Sequence, residues 1–224
     1  MPEILSPEQL EELKLFDAPT ISNAIERFDV RPRSEGFMSP EIKCIFPDLG
    51  RMVGYASTAT IMAKQPPPEG HSLPRHGYWD YIVSVPAPRV AVIQDLDNPP
   101  AVGSFWGEVN GNIHKALGCV GTITNGGVRD LDEVHALGFH FFASAPIVSH
   151  AYVHLVQYNV AVEVGGVIIN SGDLIHADKH GVITIPHEIA ANLADMCREV
   201  QRAERPIISL CKSPDFSLDK LKGN

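Results

Sequence analysis

Cysteine is scarce in this chain, positive charge is outnumbered, and long apolar runs are missing. The four cysteines among 224 residues are Cys44, Cys119, Cys197 and Cys211. None forms a Cys-x-x-Cys pair, which excludes a zinc ribbon and a thioredoxin-type motif. Scattered in this way they are expected to be small buried hydrophobes. Eighteen Lys and Arg stand against 27 Asp and Glu, a formal net charge of -9. With no basic run interleaved with aromatics, a general nucleic-acid binder is excluded. No apolar stretch approaches the roughly 20 residues of a membrane span. The opening Met1-Pro2-Glu3-Ile4-Leu5 lacks the basic start and apolar run of a signal peptide, so the expected location is the cytoplasm. There is no Gly-x-Gly-x-x-Gly, no phosphate-binding Gly-Lys-Ser/Thr loop and no Gly-x-Ser-x-Gly elbow. His187-Glu188 begins like a zinc-protease helix, but the second histidine is missing.

What is present is a layered pattern in a chain long enough for a substantial core. Ser6-Pro7-Glu8-Gln9 carries the signature of a capping box, and Leu10, Leu13 and Leu15 are expected on one apolar face. A second helix is expected near Pro19, with Ile21, Ala24, Ile25 and Phe28. Residues 30–50 read as irregular, and Gln65 to Gly70 as a stiff polyproline-like loop. Strands are expected at Gly54 to Ala63, Arg89 to Asp95, Val120 to Thr124, Gly138 to Ala143 and Val182 to Ile185. Helices are expected at Tyr78 to Val85, Gly107 to Leu117 and Asp132 to Leu137. Tyr152 to Asn170 reads as two strands hinged at Gly165-Gly166. Pro186 opens a last helix carrying Ile189, Leu193, Met196, Cys197 and Val200, and the tail from Pro206 is expected to be an extended arm. Strands joined by both hairpins and helices give an α/β or α+β layered domain over residues 1–224.

The chemistry concentrates between Gly107 and Asp130. A helix start at Gly107-Glu108 precedes a short strand, then Gly126-Gly127-Val128-Arg129-Asp130. The paired glycines are expected to permit a tight turn with dihedrals closed to other residues. That turn sets Arg129 and Asp130 together at the mouth of a sheet. Arginine presents a planar fork for a carboxylate, and aspartate a hard oxygen for a cation such as Mg²⁺. Glu108 suits the helix dipole, and the backbone N–H groups of Val109 and Asn110 suit a substrate carboxylate. A surface ion pair at Arg129-Asp130, and ordinary first-turn acids at Asp132 and Glu133, read the same residues equally well. His150 and His154 are read as extended surface or interface histidines rather than a metal pair. His176 and His180 are expected to flank a solvated turn.

Gly107-Glu108, Gly126-Gly127-Val128-Arg129-Asp130 with Glu133, Gly172-Asp173-Leu174-Ile175-His176-Ala177-Asp178 and Gly181-Val182 together resemble one family. It is that of the class II 4-hydroxy-4-methyl-2-oxoglutarate aldolases and the regulators of ribonuclease E activity. The resemblance implies a swivelling β/β/α domain, a homotrimer or a hexamer of two trimers, and a site between subunits that depends on Mg²⁺ or Mn²⁺. The N-terminal helices (about 6–28) and the C-terminal arm (about 206–224) would serve oligomer contacts. It further implies that Asp130 holds the metal, with Glu108 and Glu133 acting through metal-bound waters. Arg129 would bind the keto oxygen and steady an enolate, while the amides of Val109 and Asn110 take the carboxylate. Glu204 would reach in from a neighbouring subunit. One departure stands out. The aldolases carry a lysine after the strand that here ends at Ala143, where this chain has Ser149-His150-Ala151-Tyr152-Val153-His154. His150 or His154 is the candidate replacement. The segment Arg75-His76-Gly77-Tyr78-Trp79 is also unlike the short aldolases and is a candidate pocket lining. The expected activity is a metal-dependent lyase cleaving or decarboxylating a 2-oxo acid through a pyruvate enolate, as in aldol cleavage or oxaloacetate decarboxylation. The alternatives are a non-catalytic regulator that binds a ribonuclease, and a same-fold enzyme with another substrate.

Overall fold

The capping signal at Ser6 is realised in full: its hydroxyl accepts from the Gln9 N–H, and the Gln9 side chain accepts from the Ser6 N–H. This starts α1 (Pro7–Leu13), with Leu10 and Leu13 buried. Leu15 does not join that face. It lies past the helix end, where the chain has turned, and is 66% exposed. Helix α2 (Ala18–Glu26) is capped by Asp17, whose carboxylate accepts from the Thr20 N–H at 2.9 Å.

The computed structural model describes residues 4–69 and 73–223. Met1 to Glu3 of the opening stretch, and Gly70 of the expected loop, lie outside the described residues. After α2 come β1 (Lys43–Cys44), β2 (Met52–Met62), α3 (Arg75–Ser84), β3 (Arg89–Asp95), α4 (Glu108–Ala116) and β4 (Cys119–Thr124). Next are β5 (Gly127–Val128), α5 (Leu131–Leu137), β6 (His140–Ala143), β7 (Ala145–Pro146) and β8 (His154–Tyr158). The hairpin β9 (Val162–Val164) and β10 (Val167–Ile169) leads to β11 (Leu174–Asp178) and β12 (Gly181–Ile185). Helices α6 (His187–Ala190), α7 (Leu193–Lys212) and α8 (Leu218–Lys222) follow.

Among the described residues the main sheet runs β1-β6-β4-β3-β2-β11-β12, with β8 paired to the far end of β2. Strands β2, β3, β4 and β6 are parallel, which is why they read as continuous apolar runs: both faces are covered. Helices pack one face through Leu13, Ile25, Ile82, Val134 and Leu193, joined by Trp106 from the loop before α4. The β9–β10 hairpin packs the other through Val162, Val164 and Ile169, joined by Met38 and Ile42. The α/β layering is thus β/β/α. Its four parallel strands send their carboxyl ends to one edge, the usual place for a ligand site in such sheets.

Several expectations are corrected. Tyr152 to Asn170 holds three strands rather than two. Asn159, with φ 57°, ends β8 before the hairpin begins. The Gly165-Gly166 hinge is real, with φ of 57° and 77°, the left-handed pair that a two-residue hairpin turn requires. The last helix is split into α6 and α7. The tail is helical rather than extended: α7 continues through Pro206, which stands on an exposed stretch where water can serve the carbonyl left without a donor. His176 does not flank a solvated turn. It is fully buried in β11, its Nε2 2.9 Å from the Phe16 carbonyl. Cys119 and Cys197 are buried as expected, but Cys211 is exposed. Among the described residues no helix is long and apolar enough to cross a membrane.

Burial pushes the imidazoles of His114, His140 and His176 down to about 4 each. These groups are neutral in the fold but protonate near 6.5 once unfolded, so the unfolded chain binds more protons between those values. Stability is therefore expected to fall as pH drops from 6.5 toward 4, at roughly 1 kcal/mol per pH unit for each histidine. Urea midpoints measured across that range check this, and a flat profile would contradict it.

Candidate active site

Asp130 begins α5 in an unusual conformation, φ 54° and ψ 50°, a left-handed geometry that aspartate tolerates better than most residues. An aspartate at a helix start ordinarily caps its own helix. Here it makes no such bond. The left-handed turn swings the carboxylate across to α4, where Oδ2 accepts the Glu108 N–H at 2.9 Å. Gly107, the residue before α4, has no side chain to offer, and a Cβ there would sit 2.5 Å from Asp130 Oδ2. Glycine is thus required at 107 for space, its φ of -168° being open to any residue.

Arg129 is tied to the same spot. Its N–H donates to the Trp106 carbonyl at 3.2 Å, and its Nε lies 3.8 Å from Asp130 Oδ1. Both side chains are about one-third exposed. The Val109 and Asn110 N–H groups take no acceptor within the chain among the described residues. The result is a small half-open surface with one carboxylate oxygen, one guanidinium and two free amides at a helix N-terminus. It suits an anion beside a cation. The glycines at 126 and 127 act differently from expectation. Neither has a positive φ. They are small because a Cβ on Gly127 would meet Ile147 within 2.5–2.9 Å, and one on Gly126 would meet Asp95 Oδ2 at 3.2 Å. The strain falls on Asp130 instead.

The structure therefore brings Gly107, Glu108, Val109, Asn110, Arg129 and Asp130 together. Glu133 is exposed in the first turn of α5. The loop carrying His150 packs beside the entry to α4, with the Ser104 N–H donating to the Ser149 carbonyl at 2.9 Å. The rings of His150 and His154 contact the nearby carbonyls of Ala151 and Tyr152. Glu204 stands elsewhere in the chain, on α7, where Oε1 accepts from Asn23 at 3.4 Å. Tyr78 does not line a pocket: it is 1% exposed, inside the core. A cleft of about 670 Å³ opens on the hairpin side, lined among others by Glu41, Lys43, Gln94, Asn125, Ser144 and Glu163. It excludes Arg129 and Asp130; Gln94, Asn125 and Ser144 already serve backbone partners.

No group of three His, Cys, Asp or Glu able to hold a metal ion exists among the described residues of the chain. An ion such as Mg²⁺ can be held by one or two carboxylates with several waters, and so needs no such group. Asp130 Oδ1, free of backbone donors, is the oxygen that fits.

A model of the RraA-like family (Aldolase/RraA) matches residues 15–184. An uncharacterized protein of known structure from Pseudomonas syringae pv. tomato str. DC3000 aligns with a TM-score of 0.77 at 24% identity, over 99% of this chain and 96% of that one. Streptomyces coelicolor RraAS2, described as an unusual member of the RNase ES inhibitor RraA protein family, aligns with a TM-score of 0.70 at 22% identity, over 91% and 96%. A Halalkalibacterium halodurans protein named "Putative 4-hydroxy-4-methyl-2-oxoglutarate aldolase" is 33% identical over 88 residues, 39% of this chain and 42% of that protein. The curated relatives are matched over only 28% to 50% of their own lengths.

Replacing Gly107 with Ala should push the Asp130 carboxylate off the Glu108 N–H. The lost cap is expected to cost about 1 kcal/mol, read as a lower urea midpoint. Unchanged stability would show that the pocket accommodates the methyl and that the close approach is unimportant.

Proposed function

The chain belongs to the RraA-like family, and from that premise we propose that it is a divalent-metal-dependent lyase acting on a small 2-oxo acid. The observation that carries this reading is the left-handed Asp130, spanning to the start of α4 with Arg129 alongside. A structural aspartate at that position would cap its own helix; this one is held away from it, with one oxygen free of backbone donors beside Arg129.

In this reading the amides of Val109 and Asn110 bind the substrate carboxylate. The Arg129 guanidinium faces the keto oxygen and stabilises the negative charge that grows there as the carbon–carbon bond breaks. Asp130 would hold Mg²⁺ or Mn²⁺, with Glu108 and Glu133 reaching it through water; the bound ion would supply Lewis-acid stabilisation of the same charge. Water at the half-open site carries the proton to the enolate carbon. Aldol cleavage and oxaloacetate decarboxylation share that enolate, so either substrate class fits. His150 or His154 takes the place of the aldolase lysine. The exposed Ile207, Ile208, Phe216 and Leu218 on and beyond α7 suit contact with further copies in a trimer or hexamer, from which Glu204 approaches a neighbour's site.

Pyruvate release from oxaloacetate and from 4-hydroxy-4-methyl-2-oxoglutarate, with Mg²⁺ and with EDTA, tests the proposal. Turnover should require the metal and vanish in Asp130→Ala. Arg129→Ala should lose about 3 kcal/mol of transition-state stabilisation, a loss of rate of two orders of magnitude or more. Near-normal turnover in Arg129→Ala would overturn the assignment. Absence of turnover together with recovery of a ribonuclease in a pull-down would favour the regulator reading.

A further inference from the structure

Behind the first turn of α4 lies an unbroken line of hydrogen bonds. Tyr78 Oη is 3.0 Å from His114 Nε2, His114 Nδ1 is 2.7 Å from the Asn110 carbonyl, and Asn110 Nδ2 donates to the Phe105 carbonyl at 2.5 Å. The directions are set by chemistry. A carbonyl only accepts, so His114 Nδ1 carries the proton. Burial holds the ring neutral, its imidazole pushed down to about 4. Nε2 is then an acceptor, and Tyr78 must donate. Burial also raises the Tyr78 phenol well above its usual range, so it keeps its proton.

Packing leaves the ring no other position. His114 is fully buried, with ring centroids of Trp106 at 4.6 Å, Tyr78 at 5.7 Å and Phe105 at 6.0 Å. A leucine would fill such a space without the desolvation that a buried imidazole suffers. The polar group is therefore spent on direction: it grips the carbonyl of Asn110, while the Asn110 side chain grips the loop that enters the helix. Gly107 supplies no side-chain cap at this end. The line begins on α3.

We propose that Tyr78 and His114 are positioning residues that brace the first turn of α4 from behind, holding the Glu108 N–H on Asp130 and aiming the Val109 and Asn110 amides at the substrate carboxylate. The second half of this inference rests on the proposed lyase reading; the first half does not.

Two measurements separate the halves. The first is amide hydrogen exchange of the unliganded full chain. In His114→Leu the Glu108 amide should exchange about tenfold faster, beyond any change at Ile93, which reports global opening. His114→Asn keeps a donor for the Asn110 carbonyl and should restore most of the protection. Equal protection of Glu108 in wild type and His114→Leu would overturn the brace, whether or not the protein is a lyase. The second is titration of oxalate, a planar enolate mimic, in the presence of Mg²⁺. Affinity should fall about tenfold in His114→Leu and less in Tyr78→Phe, with KM for the 2-oxo acid rising in step and kcat changing less. A loss of melting temperature with unchanged oxalate affinity would overturn the second half, that the brace aims the amides at the substrate. If wild type binds no oxalate while Glu108 responds as expected, the brace stands and the lyase reading fails.

Discussion

The site depends on one hydrogen bond, from the Glu108 N–H to the Asp130 carboxylate. It joins the helix after β3 to the helix after β4 at the carboxyl edge of the sheet. Without it Asp130 has no evident reason to hold a left-handed backbone, a conformation that costs on the order of 1 kcal/mol or more for a residue other than glycine. With it, the carboxylate stands beside Arg129 and at the head of two free amides. Gly107 is the steric condition for that bond, since any side chain there would occupy the space of the carboxylate oxygen.

The rest of the fold delivers the two halves of that bond to one place. Parallel pairing of β3 with β4 and of β4 with β6 sets their carboxyl ends side by side. Trp106 bridges to Val128, so the strand end carrying Arg129 is fastened to the entry of α4. Ser104 reinforces the junction, its hydroxyl donating within reach of both the Trp106 and Gly127 carbonyls. Strain is tolerated at Asp130 because the surrounding backbone is over-determined.

Membership in the RraA-like family is compatible with catalysis and with regulation, because the family's structures and named relatives include both kinds of protein. The distinction lies in whether the free oxygen of Asp130 and the amides of α4 are used. Neither a fold nor a family model fixes that; a site does. Arg129 and Asp130, each about one-third exposed, stand beside two amides whose hydrogen-bonding capacity is open.

Much of this was legible in the sequence. Ser6 with Gln9 marked α1, the apolar runs marked β3 and β4, and Gly107 with Arg129-Asp130 marked the candidate site, because each depends on neighbours within a few residues or on a short motif. Where local reading failed, a distant partner decided. His176 looked like a turn residue until β2 and α2 buried it against Phe16. Pro206 looked like a helix stop, yet exposure let α7 run on. The glycines at 126 and 127 looked like conformational hinges, but Ile147 and Asp95 require them small. The left-handed strain at Asp130, and the line from Tyr78 through His114 to Asn110, join residues 22 and 36 apart in the chain. By itself the sequence determined most of the elements, the layering and which residues are candidates for the chemistry. Only the tertiary structure decided how the Asp130 carboxylate is aimed and what braces α4, because those follow from hydrogen bonds and close packing between segments that meet only when the sheet has formed.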